Sequence, residues 1–466
     1  MTNSINKLDN VKLKKIQKII VVVTNVILVL IAVISLDVYS KYTKKDQTHI
    51  EIEAFCTTIE VMKQISKNYL NTEKGYVEDW SEYIGSNDMT LEEALDQVVN
   101  NFNNIYPNVT ITYTENTSRM LKEYMQNNEQ VDIMMTTNDN LRYPKLTDMY
   151  IYDYCYDLSS ENIDLSAIKD KMIENCEVDN HVVRIPIAEN ISGMVVNKSL
   201  LAKEGLNVPT NYKEFIDVLE KLKNKGYTPI QGAYSHAYND LVINMAMTMI
   251  GNDSELLEKF NNLDPTAAQE LKPVFEKLDY IISNGYTDNE VNESYPYDNY
   301  DKAILKFVEG DVPFWVCNTE SVSGMKKRES KSQAFTDNPF EYEFMYVPLG
   351  ENSVYKYIDS WYGFSVNKYS DNLDYAVEFM RFLATQEQIN LMASVKGLPS
   401  VAKESSNPLY ENIRNTTNID TQYINNGKLK SYIRNYIENA AIKLGRGNCD
   451  GADGAVKALE QMMLGE

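Results

Sequence analysis

The sequence predicts an α/β protein whose domains share the chain through several crossings, and three observations carry that reading. Segments of strand length and helical period alternate from about residue 48 to the end. No internal repeat or low-complexity linker separates them. The 466 residues, 43% of them hydrophobic, are enough for two or three ordinary domains with well-formed cores. The net charge of −22 opposes nucleic-acid binding, because a polyanionic partner needs a basic surface from which counterions are released.

The amino terminus reads as a separate targeting unit. Lys7, Lys12, Lys14, Lys15 and Lys18 precede an apolar run of 18 residues, Ile19 to Leu36. About 20 apolar helical residues span a bilayer, so the run is either a signal anchor or a cleaved signal peptide. Val38 and Ser40 make a poor peptidase site and no Cys closes the run to accept a lipid, which favours an uncleaved anchor. Five lysines ahead of the run against three soon after it (Lys41, Lys44, Lys45) place the amino terminus in the cytoplasm and the chain beyond about Tyr42 outside. Residues 1–45 are thus a tail, an anchor or signal segment, and a linker.

Beyond it, Ile50 and Ile52 alternate with acidic residues as an opening strand. Leu91, Leu95, Val98, Val99 and Phe102 recur at helical spacing, with Thr90 and Glu93 placed as a capping box and Tyr106-Pro107 as the stop. Strands are expected at Val109–Tyr113 and Val131–Met135, with a short helix from Ser118 to Gln126 between them. Two further strands, Val182–Pro186 and Gly193–Val196, flank the polar Glu189-Asn190. Helices then run from Lys198 to Lys203 and from Asn211 to Lys225, each stopped by a glycine, Gly205 and Gly226. Helices at 241–250, 265–284 and 297–309 lead to a strand at Val312–Val316. Strands at 342–347 and 361–366 precede helices at 375–383, 386–394, 428–442 and 452–464.

Five scattered cysteines (Cys56, Cys155, Cys176, Cys317, Cys449) without CxxC spacing suggest neither a disulfide framework nor a zinc site. Three distant histidines, His49, His181 and His236, leave little material for metal or triad chemistry. Neither a metal nor another cofactor is expected. Asp450-Gly451-Ala452-Asp453 lacks the closing Glu of a calcium loop and reads as a helix start.

Three blocks stand in a telling order. Ile185-Pro186, Gly193-Met194-Val195-Val196-Asn197-Lys198, Pro209-Thr210, Glu214-Phe215 and Gly226-Tyr227-Thr228-Pro229 form the first. Phe307-Val308-Glu309-Gly310-Asp311-Val312-Pro313-Phe314 forms the second, and Gly363-Phe364-Ser365-Val366-Asn367-Lys368 with Gly397-Leu398-Pro399-Ser400 the third. Together they resemble the bacterial extracellular solute-binding proteins of family 1, the sugar-binding type that serves ABC transporters, over nearly all of the chain from about residue 48. Val196 departs from the family's usual Tyr, and Pro313-Phe314 from its small residue and Met.

The resemblance implies a type II, periplasmic-binding-protein-like fold: two α/β lobes with a ligand cleft between them, preceded here by the amino-terminal apolar helix. It implies lobes of residues 46–188 plus 318–360 and 192–316 plus 364–466, with hinge crossings near Ala188–Ser192, Cys317–Ser321 and Ser360–Gly363. It also implies a small polar ligand, a mono- or oligosaccharide, and permease subunits as partners. For a sugar, carboxylates, amides and aromatic platforms are the expected contacts. The resemblance puts a ligand-contacting acid at Asp139, polar contacts at Glu189 and Asn190, an aromatic of the second lobe at Tyr234, and Glu320 where relatives carry a stacking ring. Trp361 and Tyr362, just before Gly363, are ring candidates at the third crossing, whereas Trp315 in Pro313-Phe314-Trp315-Val316 is assigned to a core. Two other functions remain open: an anchored sensor or glycan-capture module, and a glycoside hydrolase using Asp139 with Glu189 or Asp359.

Overall fold

The computed structural model describes residues 48–54, 91–115, 131–136 and 151–465, except 234, 235, 295–299, 361, 396, 406 and 426. In chain order its strands are β1 (Thr48–Ala54), β2 (Val109–Glu115), β3 (Ile133–Thr136), β4 (Glu177–Val178), β5 (His181–Val182), β6 (Ile185–Pro186), β7 (Glu189–Asn190) and β8 (Ser192–Asn197). There follow β9 (Ile230–Gly232), β10 (Phe314–Asn318), β11 (Tyr342–Met345), β12 (Val354–Ser360), β13 (Gly363–Val366) and β14 (Ile419–Ile424).

The first sheet has the order β2-β1-β3-β13-β6, with β1 parallel to both β2 and β3 and with β13 antiparallel to its neighbours. Helix Leu91–Asn103 covers it with the apolar stripe read from the sequence: Leu95, Val98 and Phe102 have no exposed surface. Phe102 meets Phe379 of helix Leu373–Leu383 edge-on, with ring centres 5.2 Å apart. The second sheet runs β11-β8-β10-β9, and all six residues of β8 are buried, with Met194-Val195-Val196 the apolar run expected at the centre of a sheet. Helices Tyr212–Asn224, His236–Gly251, Lys272–Ser283, Ser431–Gly445 and Gly451–Leu464 enclose the main core of this lobe. Asn211 caps the first of them, its side chain accepting from the Glu214 amide. Asp450 is likewise the N-cap of the last, so its glycine-rich turn starts a helix.

A third sheet, β14-β12-β7, joins the two lobes, with β12 parallel to β14 and antiparallel to β7. Its middle strand belongs to both cores. Tyr357 is buried in the core of the second lobe, and its neighbour Ile358 in that of the first. Gly363, where the chain leaves this hinge for β13, has no room for a side chain: a Cβ there would sit 2.3 Å from the Ile185 carbonyl oxygen.

The crossings correct the expected division of the chain. Residues 318–360 do not return to the first lobe at Cys317–Ser321. Helix Thr319–Arg328 buries Val322 and Met325 against Ile304 and Phe307, and β11 pairs with β8 in the second sheet. Residues 364–402 belong to the first lobe, since β13 pairs with β3 and helices Leu373–Leu383 and Gln386–Val395 pack on the first core. The chain crosses at β7, at β12 and again through the segment ending in β14. Among the described residues no helix is long and apolar enough to span a membrane; the run Ile19–Leu36 lies outside them, as do the expected helix Ser118–Gln126 and the Thr90 cap.

Candidate functional site

Side chains alternate across a strand, so the hinge sheet has two faces of different chemistry. Asn190 pairs with Asp359, and Tyr357 with Tyr423, on one face; Glu189 pairs with Ser360, and Lys356 with Gln422, on the other. The first face, here the front, meets the carboxyl ends of strands from both lobes. These ends are where α/β sheets present ligand contacts.

On the first-lobe side, buried Arg184 donates from Nη1 to the carbonyl of Thr136, the last residue of β3, and from Nη2 to Asn175 Oδ1 at 3.1 Å. Asn175 in turn donates to the Asn425 carbonyl and, at 3.4 Å, to Asp359 Oδ1. Tyr357 Oη lies 3.3 Å from Asp359 Oδ2. On the second-lobe side, β9 leads into helix His236–Gly251. His236 Nδ1 lies 2.9 Å from Oδ2 of Asp240, whose side chain is 3% exposed. Arg434 closes the arrangement, pairing with Glu438 at 2.7 Å, reaching Ser192 Oγ at 3.5 Å and standing 5.9 Å from the Tyr357 ring. Asn244 donates to the Ser192 carbonyl at 2.6 Å.

These groups fix one another's charge. Burial alone would raise the Asp240 pKa, but His236, Arg434 and a Ser192 hydrogen bond hold it below the usual carboxylate range. Burial opposes the His236 charge, yet the Asp240 carboxylate and, behind it, Glu438 hold the imidazole above its ordinary value; Arg434 works against this. Burial also opposes the Arg434 charge, and Glu438, Tyr357 and Asp240 outweigh it. The result is a charged, mutually compensated array able to exchange hydrogen bonds with a neutral polar ligand.

Of the residues expected at the site, Asn190 lies on the front, half-buried beside Asp359. Glu189 is a correction. It faces the back, where Lys169 Nζ holds its carboxylate at 2.8 Å, because consecutive strand residues point to opposite sides. Tyr362 is a second correction: it is 1% exposed and meets Phe364 edge-on in the first core. Asp139, Tyr234 and Trp361 lie outside the described residues. Glu320 stands in the first turn of helix Thr319–Arg328, and only its backbone is described. Trp315 is buried, as assigned.

Sequence reasoning missed Asp240, Arg434 and Asn175 as front-face residues and weighed Asp359 only as an acid. His236 with Asp240 and Arg434 with Glu438 are pairs four residues apart on helices, a signal the sequence does carry. Their meeting at the hinge depends on the fold. Both carboxylate pairs expected for a hydrolase include Asp139, which lies outside the described residues; their alternative partners Glu189 and Asp359 lie on opposite faces of the hinge sheet. Among the described residues no group of three or more His, Cys, Asp or Glu could hold a metal ion. Cys155, Cys176 and Cys317 are buried thiols.

Two α/β lobes, a three-stranded hinge and a polar hinge face at the strand ends define a two-lobed solute-binding architecture. The chain belongs to the bacterial extracellular solute-binding protein family, whose model matches residues 88–389. It is 19% identical over 322 residues to the multiple sugar-binding protein of Streptococcus mutans, covering 67% of this chain and 73% of that one. RafE from Streptococcus pneumoniae shares the fold with a TM-score of 0.64 at 16% identity, covering 89% of this chain and 97% of RafE. The sugar-binding protein MalE from Xanthomonas citri gives 0.62 at 14% identity, covering 80% and 94%.

Proposed function

We propose that the chain is the extracellular substrate-binding component of an ABC importer, closing two lobes around a mono- or oligosaccharide and delivering it to permease subunits. The observation that carries this reading is the front of the hinge, where hydrogen-bonding groups of both lobes converge on strand carboxyl ends. Its family and sugar-binding relatives point the same way, and RafE has a structure in complex with raffinose. Asn190, Asp240, Arg434 and Asp359 supply the polar contacts; Glu320, in the first turn of helix Thr319–Arg328, and Asp139, Tyr234 and Trp361, outside the described residues, are further proposed contacts. The lysine-flanked run Ile19–Leu36 acts as an uncleaved anchor that keeps the lobes at the outer membrane face.

A ligand that binds only the folded state raises its melting temperature by mass action. In a panel of raffinose-type, malto-, xylo- and chito-oligosaccharides, monosaccharides, amino acids and polyamines, the full chain is therefore expected to gain several degrees from one class of sugar. No gain from any sugar, with a gain from an amino acid or polyamine, would overturn the carbohydrate assignment.

A further inference from the structure

Behind the hinge sheet, on the face that carries Glu189, lies a cavity of about 420 Å³. That is within the roughly 300–1,000 Å³ of small-molecule pockets. Both lobes and the hinge line it, and although the chain carries a net charge of −22, five lysine and arginine side chains face two acids there.

Most of these charges are spoken for. Lys169 pairs with Glu189 at 2.8 Å, and Lys403 with Asp170 at 2.8 Å. Arg414 donates to the Ser405 carbonyl at 2.8 Å and stands 3.5 Å from Glu411. Lys356, on the same sheet face as Glu189, makes no hydrogen bond or ion pair among the described residues. Burial pulls its pKa below the usual lysine range; Glu189 attracts it, but Lys169 holds that carboxylate and repels Lys356. The hinge therefore leaves one positive charge uncompensated in a half-buried cavity, with more donors within the same wall. The Lys403–Asp170 pair is exposed, and exposed pairs exchange partners at little cost.

We infer that this cavity is a second ligand site, for a small polyvalent oxyanion bearing carboxylate or phosphate groups, held by Lys356 and Lys169 with Arg414 closing from the other wall. Arginine and lysine donors give their strongest hydrogen bonds to such groups. Because the wall joins both lobes across the hinge, occupancy is linked to lobe closure, and the linkage with any ligand at the front is reciprocal. The inference does not depend on the front ligand being a sugar.

The test is calorimetric titration of the full chain at low ionic strength with two probes, citrate and inorganic phosphate. Saturable binding of citrate is expected, weakened about tenfold or more by Lys356→Met and by Arg414→Gln, as loss of a charged donor to an oxyanion should do. Asn190→Ala, on the opposite face, is expected to leave it unchanged. Binding of phosphate alone, with the same dependence on the two basic residues, would equally support the site and assign it to a smaller anion. The inference fails if neither probe binds, or if both basic variants bind as the parent does. Should Lys356→Met not fold, Arg414→Gln decides, since its side chain is 52% exposed and its loss leaves no core gap.

Discussion

The two faces of the hinge sheet differ more from each other than the two lobes do. On the front, Asp240 pairs with His236 and Arg434 with Glu438, while Asp359 accepts hydrogen bonds from Asn175 and Tyr357 beside Asn190. On the back, lysines outnumber carboxylates and one ammonium is left over. Glu189 and Asn190 are adjacent in sequence yet serve these two opposite environments. A two-residue strand at a hinge can thus set an amide on one face and an ion-paired carboxylate on the other by side-chain alternation alone.

The sharpest way to break this contrast is at Arg434. Arg434→Ala leaves Asp240 buried beside His236 without its second cation, and truncating one partner of a buried charged network costs about 2–5 kcal/mol. Because Arg434 is 26% exposed, a loss near the lower end is expected, with ligand binding reduced by a further large factor. Denaturant unfolding and titration with the identified sugar check the two effects separately. Unchanged affinity would remove Arg434 from the cleft.

A smaller pair of changes compares the faces directly. Asn190→Ala removes one proposed hydrogen bond to the ligand, worth about 0.5–1.5 kcal/mol, and is expected to weaken sugar binding by a comparable factor. Glu189→Gln should leave the sugar affinity nearly untouched and instead strengthen citrate binding at the back. The reverse pattern would mean that the faces have been assigned the wrong way round.

The smallest effect is on pH dependence. The raised His236 pKa contributes stability that is fully present below its unfolded value, near 6.5, and is lost as pH rises through the folded value. The lowered Asp240 pKa acts oppositely, adding stability above its unfolded value that is lost as pH falls through the folded one. His236→Gln should therefore flatten the fall in melting temperature above about pH 6.5. With His236 30% exposed, solvent screening keeps the change below about 1 kcal/mol. A slope identical to the parent's would show that the pair does not couple to folding.

The fold was legible in the sequence wherever an element presents one apolar face to one core. Helices Leu91–Asn103 and Tyr212–Asn224 and strand β8 fall close to their expected bounds for that reason. β12 was not legible: Tyr357 and Ile358 are both buried, on opposite faces and in different cores, so no period of two survives. Helix Thr319–Arg328 was missed because it is polar except for Val322 and Met325, and its absence misplaced a hinge crossing. At the site, the sequence located the first crossing but not which of Glu189 and Asn190 faces the front of the hinge, because that depends on pairing with β12. Arg434 and Asp240 are distant in sequence and meet at the hinge only through the packing of two helices.

On the proposed function, the two lobes close over the front of the hinge on a sugar. Small-angle X-ray scattering of residues 46–466, without and with the saturating sugar identified by thermal shift, tests it directly. A smaller radius of gyration with ligand, absent in Arg434→Ala, is the expected result. An unchanged scattering profile at demonstrated saturation would mean that the lobes do not close on the sugar.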